Sequence, residues 1–201
     1  MRVLVVFAHP LADSFAAALH RAVVETLRRN GHEVDDCDLY AEGFDPVLTA
    51  AERRVYNTPH PDLSGVTDHV RRLRAAEALV LCFPTWWYGM PAILKGWFDR
   101  VWATGVAFTL LEGGGAIRPA LHNIKKFAVV TTYGSPWWLM NLVLRAPVRA
   151  VLIGGLRRLC ARDCRWIFLA LSNIDGAAPA RCARFLARVE RALPRFIGPP
   201  S

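Results

Sequence analysis

The sequence lacks an uninterrupted apolar segment long enough to cross a lipid bilayer. The most membrane-like stretch runs from 137 to 156, and Asn141, Arg145, Pro147 and Arg149 interrupt it. A transmembrane helix needs about 18 or more predominantly apolar residues in a row. No transmembrane segment is therefore predicted, which leaves only peripheral contact with a membrane open.

The amino terminus also lacks a secretion signal, and the chain has few cysteines. The apolar stretch from Val3 to Ala8 is shorter than the apolar region of a signal peptide, and it continues into His9 and Pro10 without a cleavage pattern of small residues. The 5 cysteines are an odd number and contain no Cys-x-x-Cys pair, which indicates free thiols in a reducing compartment. These features predict a cytoplasmic protein.

Acidic residues are outnumbered by basic ones. The chain has 25 Lys and Arg against 17 Asp and Glu, a formal net charge of +8. The excess is mostly arginine spread along the chain, so we expect most of it to be solvated surface and predict no nucleic-acid partner. With 201 residues, 53% of them hydrophobic, the chain is expected to form a single domain, 1–201, around one core.

Short apolar runs alternate with helical patterns along the chain. Five strands are predicted at 2–7, 32–39, 78–83, 126–131 and 165–171. Helices are predicted at 15–27, 66–76, from 91 onward, near 142–159 and at 179–193. This alternation predicts an α/β protein with a doubly wound, five-stranded parallel sheet and helices on both faces. Ligands of such a sheet bind at the carboxyl ends of the strands.

The loop after the first strand reads AHPLADSF, residues 8–15, and contains no glycine. The dinucleotide-binding pattern GxGxxG and the P-loop are therefore both absent. What remains is a strand end followed by a capped helix amino terminus, where backbone N–H groups of 14–16 and His9 could hold a phosphate. The alternative is that Asp13 or Ser14 only caps the helix and His9 is an ordinary loop residue.

The loop after the third strand contains Trp86, Trp87 and Tyr88 in succession. Three aromatic rings at a strand end form a flat wall able to pack against a planar heterocycle, and their backbone N–H groups can face its polar edge. The alternative is that the rings only cap the core. Pro91 then begins a helix whose apolar faces we expect in the core or in a dimer interface.

Three motifs follow one another in the order AHPxxxSF, FPxxWYGMPAILKGWFDRVW and VTTYG. Together with Phe44-Asp45-Pro46, they resemble the flavodoxin-like NAD(P)H:quinone oxidoreductase family. That family includes quinone reductases, drug-activity modulator proteins and ancillary proteins of potassium-efflux systems. The likeness extends from Val3 to the last helix, and the segment 89–102 is its most specific part.

The resemblance implies a flavin cofactor, FAD with FMN as the alternative, and NAD(P)H as co-substrate. It implies that the phosphate side of the cofactor contacts His9, Ser14 and Phe15. The isoalloxazine ring would be lined by Pro84, Thr85, Trp86, Trp87 and Tyr88. The pyrimidine end of that ring would lie near Thr131, Thr132, Tyr133 and Gly134. The N–H groups of Trp87 and Tyr88 would lie near N5 and O4 of the flavin. Phe108 would help to cover the substrate from across the interface of a homodimer. No metal site is predicted.

The loop after the fourth strand departs from the family. The best-known members have a glycine-rich loop there, followed by a tyrosine and a histidine proposed to accept charge as the flavin is reduced. This chain has Leu139 and Arg145 at those positions. Since charge on a reduced flavin needs a positive or hydrogen-bonding partner, Tyr133 and Arg145 are the candidate catalytic residues. The alternative for Arg145 is a solvated helix arginine.

The predicted function is flavin-dependent oxidoreduction. A hydride would pass from NAD(P)H to the bound flavin, and two electrons would then pass to a quinone or similar small-molecule acceptor. The alternative is a flavin-binding regulatory subunit of a membrane transporter, for which the basic, tryptophan-containing stretch 137–158 would be the docking surface.

Overall fold

A computed structural model describes residues 1–58, 60–111 and 116–199 of the chain. Its helices and strands are, in chain order, β1 Arg2–Phe7, α1 Phe15–Arg29, β2 Glu33–Asp38, α2 Ala50–Val55, α3 Thr67–Ala75, β3 Ala78–Thr85, α4 Ala92–Val101, β4 Phe108–Leu110, β5 Ile117–Pro119, β6 Lys126–Tyr133, α5 Pro147–Arg149, β7 Arg165–Leu171 and α6 Pro179–Ile197. A single 3₁₀ turn, Ser64–Val66, leads into α3.

Five strands form one sheet in the order β2-β1-β3-β6-β7, and all four pairings are parallel. The predicted doubly wound sheet is therefore confirmed. The direction of the strand order reverses between β1 and β3, which is the position where ligands of such sheets bind. β3 and β6 each continue two residues beyond their predicted ends, so Pro84 pairs with Thr132 and Thr85 with Tyr133.

The alternation of side chains along each strand divides the core into two layers. Val3 and Val5 of β1 point to the face covered by α1 and α6, whereas Leu4 and Val6 point to the face covered by α3 and α4. Both faces of the sheet are buried, which explains the near-continuous apolar sequence of its central strands.

The predicted helix near 142–159 is not one continuous helix. The structure has π-helical turns at Leu139–Val143 and Ala150–Gly155, α5 between them, and a 3₁₀ turn at Leu156–Leu159. The break lies at Arg145 and Ala146, whose φ angles are 55° and 51°. Pro147 follows directly, and a proline disfavours the right-handed helical conformation at the residue before it. The apolar periodicity therefore correctly predicts helical structure in this segment, but the prediction of one uninterrupted helix is wrong.

Two further elements were not predicted. The helix α2 begins with a capping box, in which Thr49 accepts from the N–H of Glu52 and Glu52 accepts from the N–H of Thr49. The carboxylate of Glu52 forms a salt bridge with the guanidinium group of Arg100 in α4, with an N–O distance of 2.6 Å. Both side chains are largely buried. The strands β4 and β5 form a short antiparallel hairpin. Because each of these elements is only three to six residues long, its periodicity in the sequence is weak.

None of the helices within the described ranges combines the length and the apolar character that a membrane span requires. All five cysteines are free thiols, as predicted.

The helix α4 crosses the loop after β2 at a glycine. A Cβ atom on Gly96 would lie 2.2 Å from the carbonyl oxygen of Pro46, closer than any side chain can approach backbone. This contact gives a physical reason for the glycine within the motif LKGWF and for its pairing with Phe44-Asp45-Pro46.

Gly96→Ala is expected to destabilise the fold, although alanine favours a helix more than glycine does. Because the clash is with backbone, we expect the free energy of unfolding to fall by about 1–3 kcal/mol. Gly154→Ala is the matched control, since a Cβ atom there meets nothing within 4 Å. Urea denaturation measures both variants. A Gly96→Ala protein as stable as the control would contradict the close approach of Pro46.

Candidate functional site

A cavity of about 620 Å³ lies at the carboxyl edge of the sheet. Its volume is within the range of about 300–1,000 Å³ that is typical of small-molecule sites. The loops after β3, β6 and β7 form its walls, with one methionine from the segment after β6. The lining residues are Pro84, Thr85, Trp86, Trp87, Tyr88, Thr132, Tyr133, Gly134, Ser135, Met140, Ile174 and Asp175.

The aromatic wall is a tight turn from Trp86 to Gly89. The N–H of Trp86 donates to the carbonyl of Gly89 at 3.1 Å, and the N–H of Gly89 donates back at 2.9 Å. The two central residues, Trp87 and Tyr88, have φ angles of 49° and 62°. This is the geometry of a type I′ turn, in which Asn-Gly is the preferred pair. Two aromatic residues therefore occupy left-handed backbone, which is unfavourable by about 1 kcal/mol or more at each position.

The same turn directs polar backbone outward. Neither the N–H of Trp87 nor that of Tyr88 finds an acceptor among the described residues. The Trp87 side chain is 95% exposed, so the turn presents this ring to solvent rather than to the core. The alternative that all three rings only cap the core does not hold for Trp87. The arrangement offers a planar ligand a flat ring together with two hydrogen-bond donors.

The end of β6 faces this turn. Tyr133 and Thr132 line the cavity, while Thr131 is buried beneath it. The hydroxyl groups of Thr131 and Thr85 are 3.0 Å apart and form a hydrogen bond that links β6 to β3 at the cavity floor. Burial raises the pKa of Tyr133 to about 12, and the positive charge of Arg149 partly opposes that shift. The Tyr133 hydroxyl is therefore protonated, and able to donate, at neutral pH.

The loop after β1 lies beside the aromatic turn. The ring centroids of His9 and Trp86 are 5.6 Å apart. The loop after β1 and the loop after β3, both predicted to contact the ligand, are therefore neighbours. The Ser14 hydroxyl caps α1, because it accepts from the N–H of Ala17 at 3.1 Å and donates to the carbonyl of Leu11 at 2.8 Å. Phe15 packs against the core on the α1 side. The N–H groups of Phe15 and Ala16 have no acceptor within the described part of the chain.

Six predicted site residues do not line the cavity in the single chain: His9, Ser14, Phe15, Thr131, Arg145 and Phe108. The first four lie in the neighbouring elements described above. Arg145 lines a second groove together with Trp137, Arg149 and Trp166. Phe108 lies in the β4–β5 hairpin and packs against the core on the α4 side. A role for either residue at the cavity stays a prediction.

Sequence reasoning missed four lining residues: Ser135, Met140, Ile174 and Asp175. Ile174 and Asp175 follow β7 directly, at the same edge of the sheet as the other loops. The rule that ligands bind at the carboxyl ends of strands applies to β7 as well, and it was the available signal. Met140 carried no comparable signal, since it lies within the irregular turns after β6.

One group of potential metal ligands occurs in the described residues: Cys37, Glu42 and His69. Both carboxylate oxygens of Glu42 accept from Arg72 at 2.8 Å. Burial raises the pKa of the Cys37 thiol and lowers that of His69, so both groups are neutral. The thiol and the imidazole lie 3.6 Å apart, within reach of a hydrogen bond between them. The group is accounted for as a buried network around Arg72.

Fold and site together define a flavodoxin-like α/β protein with an aromatic pocket at the carboxyl ends of β3, β6 and β7. The Flavodoxin_2 family model, described as a flavodoxin-like fold, matches residues 1–150, and the chain belongs to this family. The resemblance that the sequence motifs indicated is therefore confirmed.

Comparison with individual proteins gives the same class. The chain is 36% identical over 153 residues to NAD(P)H dehydrogenase (quinone) 1 of Rattus norvegicus, an alignment that covers 67% of this chain and 54% of that protein. It is 33% identical over 127 residues to ribosyldihydronicotinamide dehydrogenase (quinone) of Homo sapiens, which covers 54% of each. The chain thus spans about half the length of these curated relatives.

Solved structures match over nearly the whole chain. The NAD(P)H:quinone oxidoreductase from Methanothermobacter marburgensis superimposes with a TM-score of 0.81 and 28% identity, covering 96% of both chains. An FMN-dependent NADH-azoreductase from Bacillus anthracis, solved in complex with FMN, has a TM-score of 0.75 and 16% identity over 98% of this chain and 99% of that one. The second match shows the shared fold alone.

The buried Tyr133 should make stability fall at alkaline pH. Its pKa in the folded state is about 12, against the ordinary tyrosine value of 10.0, so between these values the folded state holds a proton that the unfolded chain has lost. The resulting stabilisation is present below about pH 10 and is lost as the pH rises toward about 12. The free energy of unfolding of wild type, relative to Tyr133→Phe, should therefore decrease from about pH 9 to about pH 11. Urea denaturation at several pH values measures the difference, and a constant difference would contradict the shift.

Proposed function

We propose that the chain is a flavin-dependent oxidoreductase that takes a hydride from NAD(P)H and passes two electrons to a quinone or similar acceptor. The observation that carries the proposal is the aromatic turn, where Trp87 and Tyr88 have positive φ angles and free N–H groups at the mouth of a cavity. The strained Trp87 is almost entirely exposed, so its ring contributes little to the packing of the fold. Strain of this kind concentrates at ligand sites.

The residues present fit a flavin. When bound, the flavin would supply the hydride and electron chemistry. The turn from Trp86 to Tyr88 supplies a stacking wall, and the N–H groups of Trp87 and Tyr88 supply donors for a polar ring edge. The end of β6, with Thr131, Thr132, Tyr133 and Gly134, forms the opposite wall and its support.

The phosphate side of the cofactor would lie at the amino terminus of α1. The free N–H groups of Phe15 and Ala16, the positive end of the helix dipole and His9 form a site suited to an anion. Ser14 acts there as the cap that fixes these groups in place. We propose FAD as the cofactor, with FMN as the second candidate.

Proton and charge handling fall to two groups in this proposal. Tyr133 holds its proton at neutral pH and donates from the cavity wall to negative charge that develops there. Arg145 contributes a permanent positive charge from the groove that it lines with Trp137 and Arg149, and as an arginine it does not exchange a proton. The relatives named as quinone dehydrogenases support this reaction class.

We propose further that the protein is a homodimer. A surface formed by the segment 137–151 exposes large apolar side chains: Trp137, Trp138, Leu142, Val143 and Val151. Monomeric proteins rarely expose so many neighbouring apolar residues, and a second copy would cover them. Such a dimer would also let Phe108 of one chain cover the substrate of the other.

The same 137–151 surface supports the second candidate function, a regulatory subunit of a membrane transporter. Arg145 and Arg149 lie on it, and Arg157 and Arg158 follow in the chain, which would suit an acidic partner surface. The turnover of NAD(P)H with a quinone separates the two functions, since a subunit that only reports redox state would bind flavin without multiple turnovers.

The purified protein is expected to release a flavin on heating and to oxidise NAD(P)H in the presence of a quinone. Trp87→Asn is the informative variant, because asparagine tolerates positive φ and keeps the turn while the ring is lost. We expect the Kd for flavin to rise about two- to tenfold, since a stacked aromatic contributes about 0.5–1.5 kcal/mol beyond its buried area.

Tyr40→Asn is the control for this experiment, because it removes a partly exposed aromatic residue that does not line the cavity. Its flavin affinity should equal that of wild type. Protein that contains no flavin and takes none up on reconstitution would refute the proposed function.

Light scattering at micromolar concentration tests the dimer, and the expected mass is twice the 22.4 kDa of one chain. Leu142→Glu places a charge on the 137–151 surface, at a side chain that is 66% exposed, and should give the mass of one chain without loss of folding. Val47→Glu, at a site 62% exposed elsewhere, should remain dimeric. A wild-type mass of one chain would exclude the dimer.

A further inference from the structure

Asp175 occupies a fixed position at the cavity. Two backbone hydrogen bonds join its loop to the loop after β6: the N–H of Asn173 donates to the carbonyl of Ser135 at 3.1 Å, and the N–H of Ile174 donates to that of Tyr133 at 3.0 Å. Asn173 has a φ of 52°, which turns the chain into the cavity at this point. The backbone just before Asp175 is thus held against the end of β6, while the Asp175 side chain itself is exposed.

The carboxylate lies directly against Gly134. A Cβ atom on Gly134 would be 2.5 Å from Oδ2 of Asp175, so a larger residue at 134 would make this carboxylate shift. Gly134 belongs to the set of residues that the proposed function assigns to the flavin. Asp175 therefore lies at the end of the cavity assigned to the pyrimidine side of the cofactor, and it shares that cavity with the aromatic turn.

The charge of Asp175 has no counterpart in its surroundings. It is the one carboxylate among the lining residues, and none of them is a lysine, arginine or histidine. Across the described ranges, no side chain forms an ion pair or a hydrogen bond with its carboxylate. Arg181, on the following helix, donates to the carbonyl of Asn173 at 3.4 Å instead. A chain with a net charge of +8 thus presents a single negative charge to its own cavity.

We propose that Asp175 selects electron acceptors by charge, so that neutral and cationic quinone-like molecules are reduced and sulfonated or carboxylated ones are disfavoured. The inference deepens the proposed function and rests on it. At a separation of about 5–6 Å, repulsion between an anionic substituent and a carboxylate changes relative affinity about fourfold at the dielectric constant of water and more than about a hundredfold at an effective dielectric of about 20. Since Asp175 is exposed, we expect a change near the lower end of this range, about five- to tenfold. Aromatic walls strengthen the effect, because they exclude part of the solvent that would screen it.

The test compares Asp175→Asn with wild type, both loaded with flavin, using menadione as the neutral acceptor and a naphthoquinone sulfonate as the anionic one. The ratio of kcat/KM for the sulfonate to that for menadione should rise about five- to tenfold in the variant at low ionic strength, and less in high salt. Since both proteins meet the same two acceptors, the intrinsic reactivity of each acceptor cancels. Asp175→Ser repeats the measurement should the asparagine variant fold poorly.

Asp163→Asn is the control, because it removes the same charge from an exposed position just before β7, at the opposite edge of the sheet. Its ratio should match that of wild type. An unchanged ratio in Asp175→Asn, or an equal rise in both variants, would overturn the proposal.

A second measurement needs no turnover. The probes for calorimetric titration are naphthalene sulfonate and naphthalene methanol, which contain no quinone and are not reduced. The ratio of the sulfonate's affinity to the alcohol's affinity should be about five- to tenfold higher for Asp175→Asn than for wild type. If the protein proves inactive with NAD(P)H, the proposed function fails while this titration still decides whether Asp175 selects ligands by charge. Equal relative affinities in the two proteins would reject the selection.

Discussion

The pairing of β3 with β6 is the constraint on which the site depends. These strands are neighbours at the centre of the sheet, and their register continues to Pro84 with Thr132 and Thr85 with Tyr133. The hydrogen bond between the hydroxyls of Thr85 and Thr131 closes this end of the ladder. The aromatic turn and the β6 loop leave the sheet from that point, so the width of the cavity between them follows from the spacing of two paired strands, about 4.8 Å apart.

Around this rigid base, the fold places groups that do not favour its own stability. Trp87 is almost entirely exposed and has a left-handed backbone, and Asp175 has a carboxylate without a partner among the described residues. The strained backbone of Trp87 is unfavourable in isolation, and both residues face the same cavity. The stability that offsets them comes from a core buried on both faces of the sheet and from close contacts such as Gly96 with Pro46. This separation of scaffold and site is usual where loops at strand ends carry function.

Charged side chains are distributed unevenly between the outer surface, the core and the cavity. The basic excess lies on the outside, including the 137–151 surface, while Arg72 and Arg100 are buried with carboxylate partners. The cavity itself has one formal charge, which is negative. A ligand with several anionic groups is therefore attracted to the protein as a whole and repelled locally at one position, so the net charge alone is a poor guide to what the cavity accepts.

The sequence by itself determined the five strands of the main sheet, a cap of α1 at Asp13 or Ser14, and the family, because each depends on residues close together in the chain. Apolar runs identify buried strands, Ser14 reaches the N–H of Ala17 three residues on, and the motif from Gly89 to Trp102 is continuous. Only the tertiary structure decided the rest. Two consecutive left-handed residues, Arg145 and Ala146, break the predicted fourth helix and leave Arg145 in a groove apart from Tyr133. Asp175 and Gly134 are 41 positions apart in the sequence and meet because β7 lies beside β6. That neighbourhood comes from strand order, which no local pattern encodes.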